Sequence, residues 1–225
     1  MSRVMFIPDY NTTSAVMRGV YQSHGQFWTL VVPKAAAIAD LFSQEEAEKL
    51  LEQGVLRLDW ASHKLESQQV ILTAVGAYQL EEVLKASARL TQRDVPHSAV
   101  YLLEPARFRE PHSEGEREHA VSSELRAQIY PDSVPARVFV THTRPASLLG
   151  VLHTLNTGWD KTSGLGYISQ DGTLDVNGLL FINRCTWAHI LLETARVLAM
   201  PSENLLTADE LKSLEGKAAP ELVLA

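Results

Sequence analysis

The sequence is poor in the features that several classes of protein require. It contains one cysteine, Cys185, so an internal disulfide is excluded and the chain suits a reducing compartment. No apolar run approaches bilayer-spanning length, and the first residues lack the hydrophobic region of a signal peptide. The net charge is −7 and no basic block is present, which argues against a nucleic acid partner. These absences predict a cytoplasmic protein without membrane or nucleic acid partners.

The standard catalytic motifs are missing as well. The chain has no G-x-S-x-G, no P-loop, no C-x-x-C and no H-E-x-x-H. Gly164-Leu165-Gly166 lacks the third glycine of a dinucleotide-binding fingerprint and is more typical of a turn. The stretch from Asp171 to Gly178 resembles a calcium loop, but no glutamate closes it, so a hairpin turn is expected there. The motifs therefore predict no metal site and no catalytic residue.

Strand-like and helix-like patterns alternate along the 225 residues, of which 45% are hydrophobic and 21% charged. The expected strands are 3–7, 27–32, 55–60, 70–75, 99–103, 137–141 and 165–168. One helix is expected to start at Thr12 or Thr13, and a second is expected to run from a capping box at Ser43 to Gly54. Further helices are expected at 80–90, 116–129, 148–152 and 187–198, the last ended by Pro201. This order predicts an α/β fold with a mostly parallel sheet and helices on both faces.

Two side chains follow apolar strands, where open α/β sheets bind their ligands. Lys34 ends the stretch WTLVVPK and is either a solvated loop residue or a phosphate-binding lysine. His142 directly follows another strand and is either hydrogen-bonded to the backbone or part of a secondary site. Arg107 and Arg109, after a third strand, could bind an anion or pair with the acidic helix that follows.

The order of these elements resembles that of one enzyme family. The opening VMFIPDYNTTSAVMRGVYQSHGQFWTLVVPKAAA is similar to the end of the pyrimidine-binding domain of phosphoketolases, in which Pro-Asp-x-Asn follows one strand and Gly-Lys-Gln the next. The matching residues are Pro8, Asp9, Asn11 and Lys34, although proline precedes the lysine and alanine follows it. EEAEKLLEQGVLRLDWAS resembles the connection to the last domain, and the rest resembles the C-terminal domain that transketolases and phosphoketolases share.

The resemblance implies a division of the chain. Residues 1–40 would be the strand–helix–strand end of a pyrimidine-binding-like domain, 41–68 a connecting helix and linker, 69–200 a transketolase C-terminal-like domain and 201–225 a peripheral tail. It also makes Lys34 the candidate ligand of a sugar phosphate, with His142 as a possible secondary site. The isolated 1–34 unit is expected to leave apolar surface exposed, because so small a sheet cannot bury both of its faces.

The resemblance further implies thiamine diphosphate and magnesium, on which a ketose phosphate is cleaved in the complete enzyme. The Gly-Asp-Gly and following asparagine that hold this cofactor in the family are absent here, so this chain alone is expected to bind no cofactor. The expected partners are the missing catalytic domains or subunit, and the chain is expected to form a homo-oligomer. The leading hypothesis is a C-terminal part or subunit, inactive alone; the alternative is a non-catalytic binding or scaffolding module that kept the fold.

Overall fold

The computed structural model describes residues 1–34, 39–168 and 174–224. The strands are β1 Ser2–Phe6, β2 Phe27–Val31, β3 Val55–Arg57, β4 Val70–Val75, β5 His97–Leu102, β6 Ala136–Thr141 and β7 Thr162–Gly166. The helices are α1 Tyr10–Gln22, α2 Gln44–Gln53, α3 Ala77–Gln92, α4 Glu114–His119, α5 Ser123–Ile129, α6 Pro145–Val151, α7 Val176–Ile182, α8 Trp187–Leu198 and α9 Ala208–Leu214. In the described ranges, no helix combines the length and apolar character needed to cross a membrane.

The strands form two sheets. The larger has the order β3-β5-β4-β6-β7, in which only β3 is antiparallel to its neighbour among the described strands. Strands β1 and β2 form a separate parallel pair, joined by α1. The predicted α/β fold with a mostly parallel sheet, preceded by a strand–helix–strand unit, is confirmed.

The central strands β4, β5 and β6 are buried along their whole length. Their near-continuous apolar runs are typical of parallel strands that are covered on both faces. On one face, Leu72 and Val138 belong to a core that includes Leu191 of α8. On the other face, Ile71 belongs to a second core with Leu148 of α6.

The N-terminal unit is attached to the larger sheet at the end of β5. The Phe6 N–H donates to the Leu103 carbonyl at 2.9 Å, and the buried Tyr101 hydroxyl donates to the Phe6 carbonyl at 2.6 Å. Helix α1 packs against α2, and Met5 and Val16 share the core that contains α3 and α8. The two sheets therefore pack through one continuous apolar cluster.

The first two helices begin with different capping residues. Helix α1 is capped by Asp9, whose Oδ1 accepts the Thr12 N–H at 2.9 Å, so the prediction of a threonine cap at Thr12 or Thr13 was wrong. An aspartate placed three residues before a free helix N–H caps it as well as threonine does. Helix α2 begins as predicted, with both hydrogen bonds of the capping box between Ser43 and Glu46.

Strand β7 lies three residues earlier than the predicted strand 165–168, and it contains the two glycines that were expected to form a turn. A Cβ on Gly166 would stand 2.4 Å from the Thr143 carbonyl oxygen, and one on Gly164 would stand 2.9 Å from Leu149. The strand therefore uses glycine because β6 and α6 approach it closely, a tertiary constraint that turn statistics do not contain.

Three other stretches differ from the sequence prediction. The stretch 116–129 is divided into α4 and α5 because the backbone is extended at Ala120. Strand β3 ends at Arg57, three residues early. Helix α8 has the predicted bounds, 187–198, and it ends before Ala199, whose φ of 53° is left-handed, ahead of Pro201. The second half of the hairpin predicted at 171–178 is instead the start of helix α7, which Asp175 caps. Residues 171–173 of that predicted hairpin lie outside the described residues.

The segment after Met200, expected to be peripheral, contributes to the core. It contains α9, which begins with a capping box between Thr207 and Glu210, and it buries Leu205, Leu206 and Val223 completely or nearly so. The proposed domain boundaries stay a prediction.

Candidate functional site

The strand order places a topological switch point between β4 and β6. From β4 the chain crosses by way of α3 to β5 on one side, and β6 lies on the other side of β4. At such a point the connections leave in opposite directions and open a crevice at the carboxyl ends of the strands, where α/β proteins bind ligands. The residues that follow β4, β6 and β7 here are Gly76, His142 and Tyr167.

Gly76 connects β4 to α3 with a φ of 116°, a conformation that favours glycine. A Cβ at this position would stand 2.4 Å from Oε1 of Gln79 and 3.0 Å from Cβ of His142. Helix α3 begins without a side-chain cap. The missing side chain of Gly76 therefore leaves room for the first turn of α3 to approach the end of β6.

His142 lies half-buried beside this turn. Its N–H donates to the Val75 carbonyl at 2.9 Å, and its ring meets the Tyr167 ring edge-on, with centroids 5.2 Å apart. Burial lowers the pKa of the imidazole, which is therefore neutral near pH 7. Neither ring nitrogen of His142 bonds to another described residue, so its role, bonded to the backbone or part of a secondary site, stays a prediction.

Gln79 was not singled out in the sequence, and the structure places it at the centre of the crevice. It is fully buried at the third position of α3. Burial raises the pKa of the neighbouring Tyr167 hydroxyl, and the Gln79 carboxamide opposes part of that rise. The two groups are thus close, yet neither Nε2 nor Oε1 of Gln79 completes a hydrogen bond of good geometry within the described chain. The sequence signal is a polar residue beside Leu80, in line with Val83 and Leu90 on the buried side of an amphipathic helix.

Lys34 lies elsewhere, at the carboxyl end of the two-stranded sheet. Its side chain is exposed and makes no hydrogen bond or ion pair with another described residue. No contact within the described ranges joins it to His142, so the structure does not bring the two predicted site residues together. Its predicted role in phosphate binding stays a prediction.

Asp9 and Asn11 are committed to the local backbone. Oδ2 of Asp9 accepts the Phe42 N–H at 2.8 Å while Oδ1 caps α1, and Nδ2 of Asn11 donates to the Phe42 carbonyl at 2.8 Å. Together they fix the loop before α2 against α1. No group of three or more acidic, histidine or cysteine residues in the described ranges could hold a metal ion. These residues do not fit a diphosphate–magnesium site.

A buried charge cluster lies where the N-terminal unit meets β5. Arg3 donates to both carboxylate oxygens of Glu104, at 3.0 and 2.8 Å, and its guanidinium lies 3.9 Å from the centroid of the Trp28 ring. Nε2 of His119 lies 3.1 Å from the same carboxylate. Burial raises the pKa of Glu104, but the hydrogen bonds from His119 and Arg3 outweigh it, so the net shift is downward. Charges paired in this way fix the orientation of β1.

The two arginines after β5 have different partners. Arg109 pairs with Glu116 of α4 at 2.6 Å, as one of its two readings expected. Arg107 instead donates to the backbone carbonyls of Glu52 and His119, at the C-terminal ends of α2 and α4. A cavity of about 350 Å³ next to Arg107 is lined also by Arg3 and Trp28.

Comparison with known proteins gives one family and one fold. A protein-family model described as the XFP C-terminal domain matches residues 37–195. No curated protein matches the chain.

Several solved structures share the fold. Transketolase from Leishmania mexicana aligns with a TM-score of 0.61 and 12% identity, and transketolase from Pichia stipitis in complex with sedoheptulose 7-phosphate aligns with 0.63 and 16%. Each alignment covers 88% of this chain and 25% of the other, so this chain spans about a quarter of their length. A split-gene transketolase, described as an inactive β4 tetramer, aligns with a TM-score of 0.51 and 14% identity, covering 88% of this chain and 57% of that one.

Proposed function

Because this chain belongs to the XFP C-terminal domain family, the C-terminal domain of phosphoketolases, we propose that it is the C-terminal part or subunit of a phosphoketolase- or transketolase-like enzyme of sugar-phosphate metabolism. In this proposal it is inactive alone and is completed by domains that carry the cofactor. The fold it shares with transketolases is compatible with this function and does not by itself establish it.

The observation that carries the proposal is an uncovered face on the two-stranded sheet. In the parallel register, Ser2 pairs with Phe27 and Val4 with Thr29, so these four side chains share one face. All four are exposed, and Phe27 and Val4 retain 79% and 37% of their accessible surface. The opposite face, which contains Met5, packs against the core. Parallel sheets are normally buried on both faces, so we infer that another domain covers this one.

The split-gene transketolase supports an incomplete chain of this kind. That protein is described as an inactive β4 tetramer, and it shares the fold over 88% of this chain. By analogy, we propose that this chain can form a homo-oligomer and gains activity only with the missing catalytic domains or subunit.

We propose that the missing domains, and not this chain, bind thiamine diphosphate and magnesium. The two side chains of the Pro-Asp-x-Asn segment that could act as ligands, Asp9 and Asn11, are already hydrogen-bonded to backbone groups. We therefore expect calorimetric titration of the isolated chain with thiamine diphosphate and magnesium to show no binding. Micromolar affinity would contradict this assignment.

Lys34 is the residue that we propose to contact the sugar phosphate in the assembled enzyme. It is exposed at the carboxyl end of β2, where no described group neutralises its charge. A lysine in that position can act as a point charge on a phosphate.

The test is reconstitution. The full chain is mixed with a polypeptide that carries the diphosphate- and pyrimidine-binding domains. Release of aldose phosphate from a ketose phosphate is followed with cofactor present and with phosphate or a second aldose added to accept the remaining fragment. Neither polypeptide alone should be active, and the mixture should be. If the two associate but activity does not depend on this chain, the chain is a non-catalytic binding module and the proposal is wrong.

A further inference from the structure

We propose that the crevice between β4 and β6 binds a small phosphate-bearing anion, held by the N-terminal turn of α3 and the carboxamide of Gln79. This site is separate from Lys34, and the inference does not depend on the proposed function.

The electrostatic field at this crevice favours a negative charge. Helix α3 has 16 residues and begins without a side-chain cap, so the positive end of its dipole is directed at the crevice. Because Gly76 has no side chain, the Gln79 carboxamide can lie over this turn, with its Oε1 2.4 Å from where a Cβ of Gly76 would stand. Burial lowers the pKa of His142, so the imidazole adds no positive charge of its own near pH 7 and the helix terminus is the source of the favourable field.

Gln79 provides the independent indication of a ligand. Its side chain is fully buried, and both polar atoms lack a hydrogen-bond partner of good geometry in the described part of the chain. Buried amides are almost always hydrogen-bonded, so each exception requires a reason. The carboxamide lies between Gly76 and Tyr167, where Nε2 can donate to a phosphate oxygen at the end of α3.

His142 and Tyr167 complete the polar lining. The imidazole is neutral and the pKa of the hydroxyl is raised, so at pH 7 each can donate one hydrogen bond without bringing a charge. Their edge-on contact holds both rings at the mouth of the crevice. A site built from backbone and neutral donors suits one phosphate group better than a polyphosphate.

The test is a titration of the isotope-labelled full chain with inorganic phosphate, followed by NMR, with chloride at matched ionic strength as the control. Saturable shifts are expected at the Ala77 and Gln79 amides, at the Gln79 side-chain amide and at the His142 ring. Gln79→Met should weaken binding by about fivefold or more, since it removes one hydrogen bond. Gln92→Met, at the exposed far end of α3, should leave the affinity unchanged.

Thermal unfolding of Gln79→Met separates a ligand-binding role from a structural one. Removing two unpaired buried polar atoms should leave the melting temperature unchanged or raise it. A lowered melting temperature would show that Gln79 serves the fold through Tyr167, and it would overturn the proposal. Absence of saturation up to about 20 mM phosphate would overturn it too. Equal affinity in the wild type and Gln79→Met would identify an adventitious ion only.

Discussion

Glu104→Gln should destabilise the protein strongly, because it removes the only carboxylate that Arg3 contacts among the described residues. The side chains of Arg3 and Glu104 are 9% and 1% exposed, so the guanidinium would remain buried without a counter-charge. Breaking a buried ion pair from one side costs about 3–5 kcal/mol. With a urea m-value of about 2–3 kcal/mol/M, the unfolding midpoint should fall by about 1 M or more.

The matched control is Glu48→Gln, which breaks the exposed pair between Arg18 and Glu48. Solvent screens such a pair, so its midpoint should hardly move. Replacing Arg3 and Glu104 together by apolar residues should recover much of the loss, since no unpaired charge is then buried. Equal midpoints for Glu104→Gln and Glu48→Gln would refute the reasoning that this cluster fixes β1 to β5.

The same cluster predicts a pH dependence. The folded-state pKa of Glu104 lies below its ordinary value of 4.5, so its contribution is fully present above pH 4.5. It is lost as the pH falls through the lowered folded pKa. The difference in free energy of unfolding between the wild type and Glu104→Gln should therefore shrink in acid, and a constant difference down to pH 2 would contradict the assignment.

Four further predictions follow from other parts of the molecule. Lys34→Ala should lower kcat/KM of the reconstituted enzyme for a ketose phosphate about ten- to hundredfold without changing the unfolding midpoint; equal loss on an unphosphorylated ketose would contradict it. Phe27→Lys should weaken assembly in sedimentation experiments, whereas Trp159→Lys, equally exposed near β7, should not. Gly166→Ala should cost about 2 kcal/mol in chemical denaturation, because its Cβ meets a backbone carbonyl. Burial lowers the pKa of His189 to about 4, so below pH 6.5 the unfolded state binds a proton that the folded state does not. The free energy of unfolding should therefore fall by about 3 kcal/mol between pH 6.5 and 4, and the same fall should be smaller in His189→Asn.

Local sequence patterns predicted the elements whose determinants are local. The runs of β4 and β6 are apolar throughout, and the capping box before α2 contains both of its hydrogen-bonding partners within four residues. Strand β7 was misplaced because its two glycines are required by close contacts with the Thr143 carbonyl and with Leu149. Strand propensity contains no information about such contacts.

The candidate site was only partly predictable for the same reason. His142 could be found because it directly follows an apolar strand, and carboxyl ends of strands share one edge. Gln79 could not, since its importance arises from burial and from the absence of hydrogen-bond partners, which depend on how α3 lies against β6 and β7. Lys34 could be found for the same reason as His142, and the resemblance supports it, but its exposed position gives it no described partner by which a role could be recognised.

The short antiparallel strand β3 has a consequence for how copies of this chain can polymerise. It ends the larger sheet with three residues, and an edge this short offers little template for a strand from another molecule. At the opposite edge, β7 is packed between α6 and α8. Open-ended, edge-to-edge growth of fibres is therefore disfavoured at the β3 end of the larger sheet. The pair of β1 and β2, which exposes Phe27 and Val4, is a more favourable place than β3 for aggregation of the purified chain to begin, and shielding that pair should reduce it.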